Sequence, residues 1–147
     1  MLIAALGNRF RSDDGVALRV ADAVRPDLPP DVRIVHAADL LSLIDDWNGE
    51  ALAVLIDAVQ SGAPPGTVHE IDVTEPLSTN LPASASTHSL ELPHAIELAR
   101  RLDRLPAKLI VIGIEGDRFG PGVDLSPAVA AAVPRAATIL RRLATNG

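Results

Sequence analysis

Cysteine and tyrosine are absent from this 147-residue sequence, and Phe10, Trp47 and Phe119 are its only aromatic residues. Without cysteine there is no disulfide, no thiolate metal ligand and no cysteine nucleophile. So few aromatic rings offer no platform for stacking bases, and a net charge of −6 provides no basic surface for phosphates. These absences predict a protein that does not bind nucleic acid.

Long apolar runs are also missing. No stretch approaches the ~18 residues of a membrane helix. The opening "MLIAALGNRF" has neither the basic start nor the apolar length of a signal peptide. We therefore expect a cytoplasmic protein without a membrane partner. What is present is a hydrophobic content of 48%, which is enough for one core, so we predict a single domain over residues 1–147.

Short apolar runs alternate with helical patterns along the chain. Continuous rather than alternating apolar runs are typical of buried parallel strands. The pattern predicts a three-layer α/β sandwich, with a mostly parallel, twisted sheet of about five strands and helices on both faces. We expect the third strand to be central, the fourth to be an edge strand, and Ser12 or Asp13 to cap the first helix. The predicted strands are 2–6, 32–37, 51–59, 67–73 and 108–115, and the later helices are 40–47, 90–104 and 126–144.

In such sheets, ligands bind beyond the carboxyl ends of the strands. Most of the charged residues expected at that edge are acids. The residues placed there are Gly7, Asn8, Asp13, Asp14, His36, Asp39, Asp57, Glu115 and Asp117. The sequence has no Gly-x-Ser-x-Gly elbow and no phosphate-binding loop. An acidic edge of this kind is better suited to a cation than to a phosphate.

Carboxylates combined with an imidazole suit a divalent metal, and a histidine shifts the preference toward nickel, zinc or iron. His69 is predicted to face solvent from the edge strand, and His94 falls within a helix. His88 lies where a loop meets the start of a helix, which suits a ligand. The structural alternatives are that Asp13 and Asp14 serve only as acids in the first helical turn, and that Asp57 serves only as a cap or in a turn.

With these residues assembled, the chain resembles the hydrogenase maturation endopeptidases. The resemblance spans most of the chain, in the same order along the sequence. It is carried by five segments: "LGNRFRSDDGVA", "VLIDAVQSGAPPGTV", "STHSLEL", "KLIVIGIE" and "DLSPAV".

The resemblance implies an endopeptidase that removes the C-terminal extension of a nickel-iron hydrogenase large-subunit precursor after nickel insertion. It places the family's three metal-associated and catalytic positions on Asp14, Asp57 and His88. It implies substrate contacts at Gly7 and Asn8. The nickel would be supplied by the substrate, so the isolated protein is expected to hold no metal or another divalent ion.

Three positions depart from the family pattern. Ala5 stands where a glycine is usual, and Val16 is followed by Ala17 instead of a glycine step. The second strand ends in "HAAD" rather than in an acid followed by glycines. We assign His36 to substrate binding in place of that acid; the alternative is that this role is absent.

Two other functions fit the same residues. One is a different metal-dependent hydrolase of this fold that acts on a small amide or ester. The other is a binding module that checks a metal-loaded partner and does not cut it. Turnover of small substrates would indicate the first, and binding without shortening of the precursor would indicate the second.

Overall fold

A computed structural model describes residues 1–37, 39–75, 81–85 and 91–146. The strands are β1 (Leu2–Leu6), β2 (Arg33–Ala37), β3 (Ala53–Val59), β4 (Val68–Asp72) and β5 (Leu109–Glu115). The α-helices are α1 (Val16–Val24), α2 (Leu40–Trp47), α3 (Leu92–Arg101) and α4 (Pro127–Asn146), and a 3-10 helix at Ser12–Gly15 precedes α1.

The sheet has the order β2-β1-β3-β5-β4, which places β3 at its centre. The pairings of β1, β2, β3 and β5 are parallel, and β4 runs antiparallel to β5 at one edge. Because Ala5 is in register with Ile56, the carboxyl ends of β1 and β3 lie side by side. The predicted sheet, with its central third strand and its fourth strand at the edge, is confirmed.

Two apolar layers cover the sheet. On one face, alternate residues such as Ile3, Ile56 and Ile112 pack against α1 and α4. On the other face, Leu6, Leu55 and their neighbours pack against α2 and α3. Helices on both faces explain why β3 and β5 are buried along their whole length and carry uninterrupted apolar runs.

Two predicted details are wrong. Neither Ser12 nor Asp13 caps the first helix: α1 begins after Gly15, and no side chain accepts a hydrogen bond from its first turn. The Ser12 hydroxyl instead donates to the carbonyl of Gly120. The third strand begins at Ala53 rather than at residue 51, and it contains Asp57, as the predicted range of 51–59 does.

None of the helices in the described parts of the chain has the length and apolar content needed to cross a membrane.

Candidate active site

Asp14 is held under a glycine turn at the end of β1. Its side chain is 1% exposed, and the Asn8 N–H donates to its Oδ2 at 3.1 Å. Arg11 Nη1 lies 3.5 Å from the same oxygen. Gly7 has a φ of +129°, and a Cβ added there would stand 2.0 Å from the Asp14 carbonyl oxygen. Only glycine fits this turn, because both the backbone conformation and the close approach exclude a side chain.

The neighbouring acid, Asp13, is a structural clamp. Its carboxylate accepts hydrogen bonds from the N–H groups of Asp117, Arg118 and Ser126 at 2.7–2.9 Å, and from the Ser126 hydroxyl at 2.7 Å. Burial raises the pKa of Asp13, but the hydrogen bonds from Arg118, Ser126 and Asp117 together outweigh burial and leave the pKa below its usual value. Asp13 thus ties the 3-10 helix to the loop before α4.

Asp57 is 2% exposed, and its Oδ2 accepts a hydrogen bond from the Ser84 hydroxyl at 2.5 Å. Strand alternation places it on the α2/α3 face, since Ile56 belongs to the opposite core and Leu55 to this one. Asp57 and Ser84 line one part of a cavity of about 260 Å³, whose other walls are mainly apolar. Asp57 therefore presents a carboxylate within the fold, beside space that a ligand could enter.

The other predicted residues are placed differently. His36 is exposed and in register with Ala5, which belongs to the α1/α4 core, so it lies on the opposite face of the sheet from Asp57. Its assignment to substrate binding remains a prediction. His88 lies outside the described residues, and its role as a ligand also remains a prediction. Within the described residues, no three His, Asp or Glu side chains are grouped so that they could hold a metal ion.

A second polar cluster was not anticipated from the sequence. Glu115, at the end of β5, is 2% exposed, and its Oε1 lies 3.0 Å from Nε2 of His69. Glu115 also accepts hydrogen bonds from the hydroxyl and the N–H of Ser61. The prediction that His69 faces solvent is wrong, since its side chain is 23% exposed and contacts this buried acid. The available signal was period-2 alternation, which places His69 on the same side of β4 as Ile71; its partner Glu115 follows only from the register of β4 with β5.

Ser61, His69 and Glu115 do not form a hydrolytic triad. In such a triad the histidine accepts the proton of the serine hydroxyl, and the acid orients the histidine. Here the Ser61 hydroxyl and His69 Nε2 both contact Glu115, so the acid stands between the two other groups. The cluster joins the loop after β3 to β4 and β5, and hydrolysis has to be assigned to other residues.

The fold and the acidic edge define a class: a doubly wound α/β protein with buried carboxylates at the carboxyl ends of adjacent strands. The sequence model described as "HycI: Hydrogenase maturation protease" matches residues 22–142. The chain therefore belongs to the hydrogenase maturation protease family, and it is a peptidase. The resemblance found in the sequence motifs is confirmed.

Relatives support the same assignment. The chain is 27% identical to the hydrogenase 2 maturation protease of Escherichia coli, over all of this chain and 92% of that protein. Its structure is similar to that of the hydrogenase maturating endopeptidase HybD from E. coli, with a TM-score of 0.82, 26% identity, and coverage of 99% of this chain and 93% of that one. It is also similar to the [NiFe] hydrogenase maturation protease HybD from Thermococcus kodakarensis, with a TM-score of 0.73, 30% identity and 97% coverage of both chains.

Proposed function

We propose that this protease removes the C-terminal extension of a nickel-iron hydrogenase large-subunit precursor after nickel has been inserted. The observation that carries the proposal is a pair of almost fully buried carboxylates in a chain of this family: Asp14, in the 3-10 helix that follows β1, and Asp57, in the neighbouring strand β3. Two carboxylates at the edge of the sheet where ligands bind offer oxygen donors, and this chemistry suits a cationic ligand.

The turn at the end of β1 gives this site its geometry. Gly7 allows the backbone to pass against Asp14, and the Asn8 N–H fixes one of the carboxylate oxygens. In the proposal, Gly7 and Asn8 also face the substrate backbone, because a turn without a side chain leaves its peptide groups approachable. Asp57 lies on the strand next to this turn.

The proposed ligand is the nickel ion of the substrate. Asp14 and Asp57 would supply oxygen ligands and His88 a nitrogen, a donor set that suits nickel. The ion anchors the precursor so that the peptide bond to be cut lies at the site. A carboxylate of the site then accepts a proton from the water that attacks the scissile carbonyl. The metal is part of the substrate here, and the isolated protease is expected to bind nickel weakly.

The test is incubation of the protein with nickel-loaded and with metal-free large-subunit precursor, followed by intact-mass measurement. We expect the nickel-loaded precursor to lose a C-terminal peptide and the metal-free precursor to stay at full length. Capture of both forms on immobilised protease separates recognition from cutting. Equal cleavage of the two forms would leave a peptidase but overturn nickel recognition.

Of the two other functions considered, the non-cutting binding module is not favoured, because the chain belongs to a family of proteases. The small-substrate hydrolase is tested in the same experiment by adding a simple amide or ester in place of the precursor. A cytoplasmic location is proposed as well, and fractionation of cells that express the tagged chain tests it.

A further inference from the structure

The cavity beside Asp57 has a polar part and an apolar part, and the proposed chemistry does not use the apolar part. Asp57 and Ser84 supply polar groups to its lining. Its remaining walls are mostly apolar and include Val59, Ile71 and Val111. Val111 is 3% exposed, and both Val111 and Ile71 belong to the apolar layer on the α2/α3 face. The cavity thus extends from a carboxylate into an apolar recess.

The size of the cavity limits what can enter it. Pockets for drug-sized ligands occupy roughly 300–1,000 Å³, whereas an apolar cavity of about 150 Å³ holds a benzene molecule. A volume of about 260 Å³ lies between the two. It is too small for a folded segment or a cofactor and sufficient for one large side chain with the start of its backbone.

The chemistry of the walls selects the kind of side chain. Filling an apolar recess with a leucine-sized group is favourable by about 1.5–3 kcal/mol, while a charged group there would lose its hydration. Glu91 lines the cavity but is itself exposed, so it stays in contact with water. Asp57 is the buried acid of the lining, and in the proposed function its charge is engaged by the nickel ion of the substrate. An apolar side chain therefore fits better than a cationic one.

We propose that this cavity is the specificity pocket of the protease, and that it takes one leucine-, isoleucine- or methionine-sized side chain from a substrate residue flanking the scissile bond. This inference rests on the proposed function, because it places the substrate chain next to Asp57. The apolar side chain would fix the register of the substrate, so that the peptide bond beside it reaches the carboxylates.

Ile71 allows the pocket to be made smaller or larger from one position. It lies on the edge strand β4 and is only partly buried, so Ile71→Phe and Ile71→Ala disturb the core less than changes at Val111 would. Val68 provides the matched control, because it lies on the same strand but packs on the opposite face. Ala83→Leu, at an exposed lining residue, fills the pocket should Ile71→Phe fail to fold.

The experiment first locates the cut in the natural precursor by mass spectrometry. Each residue flanking the cut is then replaced by Leu, Ala, Trp, Arg and Asp. At one position, wild-type protease should cleave the Leu form about 100-fold faster than the Arg or Asp form. Ile71→Phe should shift the preference toward Ala by about 10-fold, Ile71→Ala should shift it toward Trp, and Val68→Phe should leave it unchanged.

A binding measurement makes failure of the pocket distinguishable from failure of the proposed function. N-acetyl-leucinamide at millimolar concentration should shift the methyl NMR signals of Val59 and Val111 in the wild type and in Val68→Phe, but not in Ile71→Phe. If wild-type protein binds this probe but cuts no precursor, the cavity does accept an apolar side chain, and it is the proposed function that fails. A preference for Arg, a preference unaffected by Ile71 substitution, or the absence of probe-induced shifts would overturn the pocket.

Discussion

Asp13 and Asp57 are both buried acids, and the regions around them are built differently. Asp13 is surrounded by donors from the 117–126 loop, and both oxygens of its carboxylate accept hydrogen bonds that hold that loop. Asp57 lines a cavity of about 260 Å³ on the other face of the sheet from α1 and α4. The difference teaches that burial alone does not identify a functional acid. What separates the two residues is space next to the carboxylate.

The sharpest test of this comparison is Asp57→Asn. The amide keeps the volume of the side chain but removes the charge that a cation or a proton transfer needs. We expect processing of the nickel-loaded precursor to fall by about 10³-fold, the order of a lost acid–base group or ligand. The melting temperature should stay the same or rise, because a neutral side chain is cheaper to bury.

The matched control is Asp22→Asn, which removes a carboxylate from an exposed position on α1. Its processing rate should equal that of the wild type. A folded Asp57→Asn protein that cuts at the wild-type rate would show that this carboxylate is not part of the chemistry.

Asp13→Ala should show the reverse pattern. Three backbone N–H groups and one hydroxyl lose their acceptor, and each buried donor left unsatisfied costs about 1–3 kcal/mol. We expect the free energy of unfolding, measured in urea, to fall by about 3 kcal/mol or more. At a temperature where the variant is folded, the precursor should still be cut. Unchanged stability would mean that the clamp contributes nothing.

The sequence predicted the class of fold because apolar runs and their spacing are local signals. The bounds of β1 and α2 match the predictions, and Asp39 caps α2 through the Ser42 N–H. The role of Asp13 could not be predicted, since its partners lie more than 100 residues away along the chain. The contact of His69 with Glu115 spans 46 residues and was missed for the same reason. Local patterns place residues at an edge but do not give their partners.

Gly7→Ala tests what requires glycine in the turn over Asp14: the close approach of the Asp14 carbonyl, or only the positive φ. Gly49 is the comparison, because its φ is +82° and a Cβ there would meet nothing within 4 Å. Gly49→Ala should cost about 1 kcal/mol through backbone strain alone. Gly7→Ala should cost about 1–3 kcal/mol more, since the Asp14 carbonyl has to move. Equal losses in urea unfolding would show that the turn relaxes without cost.

The smallest expected effect concerns the pH dependence of stability. It is the part of the stability lost in acid that is due to protonation of Asp13. Its pKa is lowered in the folded state, so the folded protein binds fewer protons than the unfolded chain near that pKa. The resulting stability is fully present above the unfolded pKa of about 3.9 and is lost as the pH falls through the folded value. The free energy of unfolding, measured in urea from pH 7 to pH 3, should therefore fall less steeply with decreasing pH in Asp13→Asn than in the wild type. We call this part of the pH profile the acid limb.

Asp72 is the comparison for this slope. Hydrogen bonds from the side chain and N–H of Thr74 also lower the pKa of Asp72, but its side chain is 54% exposed. Water screens an exposed group, so Asp72→Asn should change the acid limb less than Asp13→Asn does. If Asp13→Asn and Asp72→Asn flattened the acid limb equally, the hydrogen bonds to Asp13 would stabilise the fold no more than those of an exposed turn. The distinction between Asp13, as a structural acid, and Asp57, beside the cavity, would then have no energetic basis.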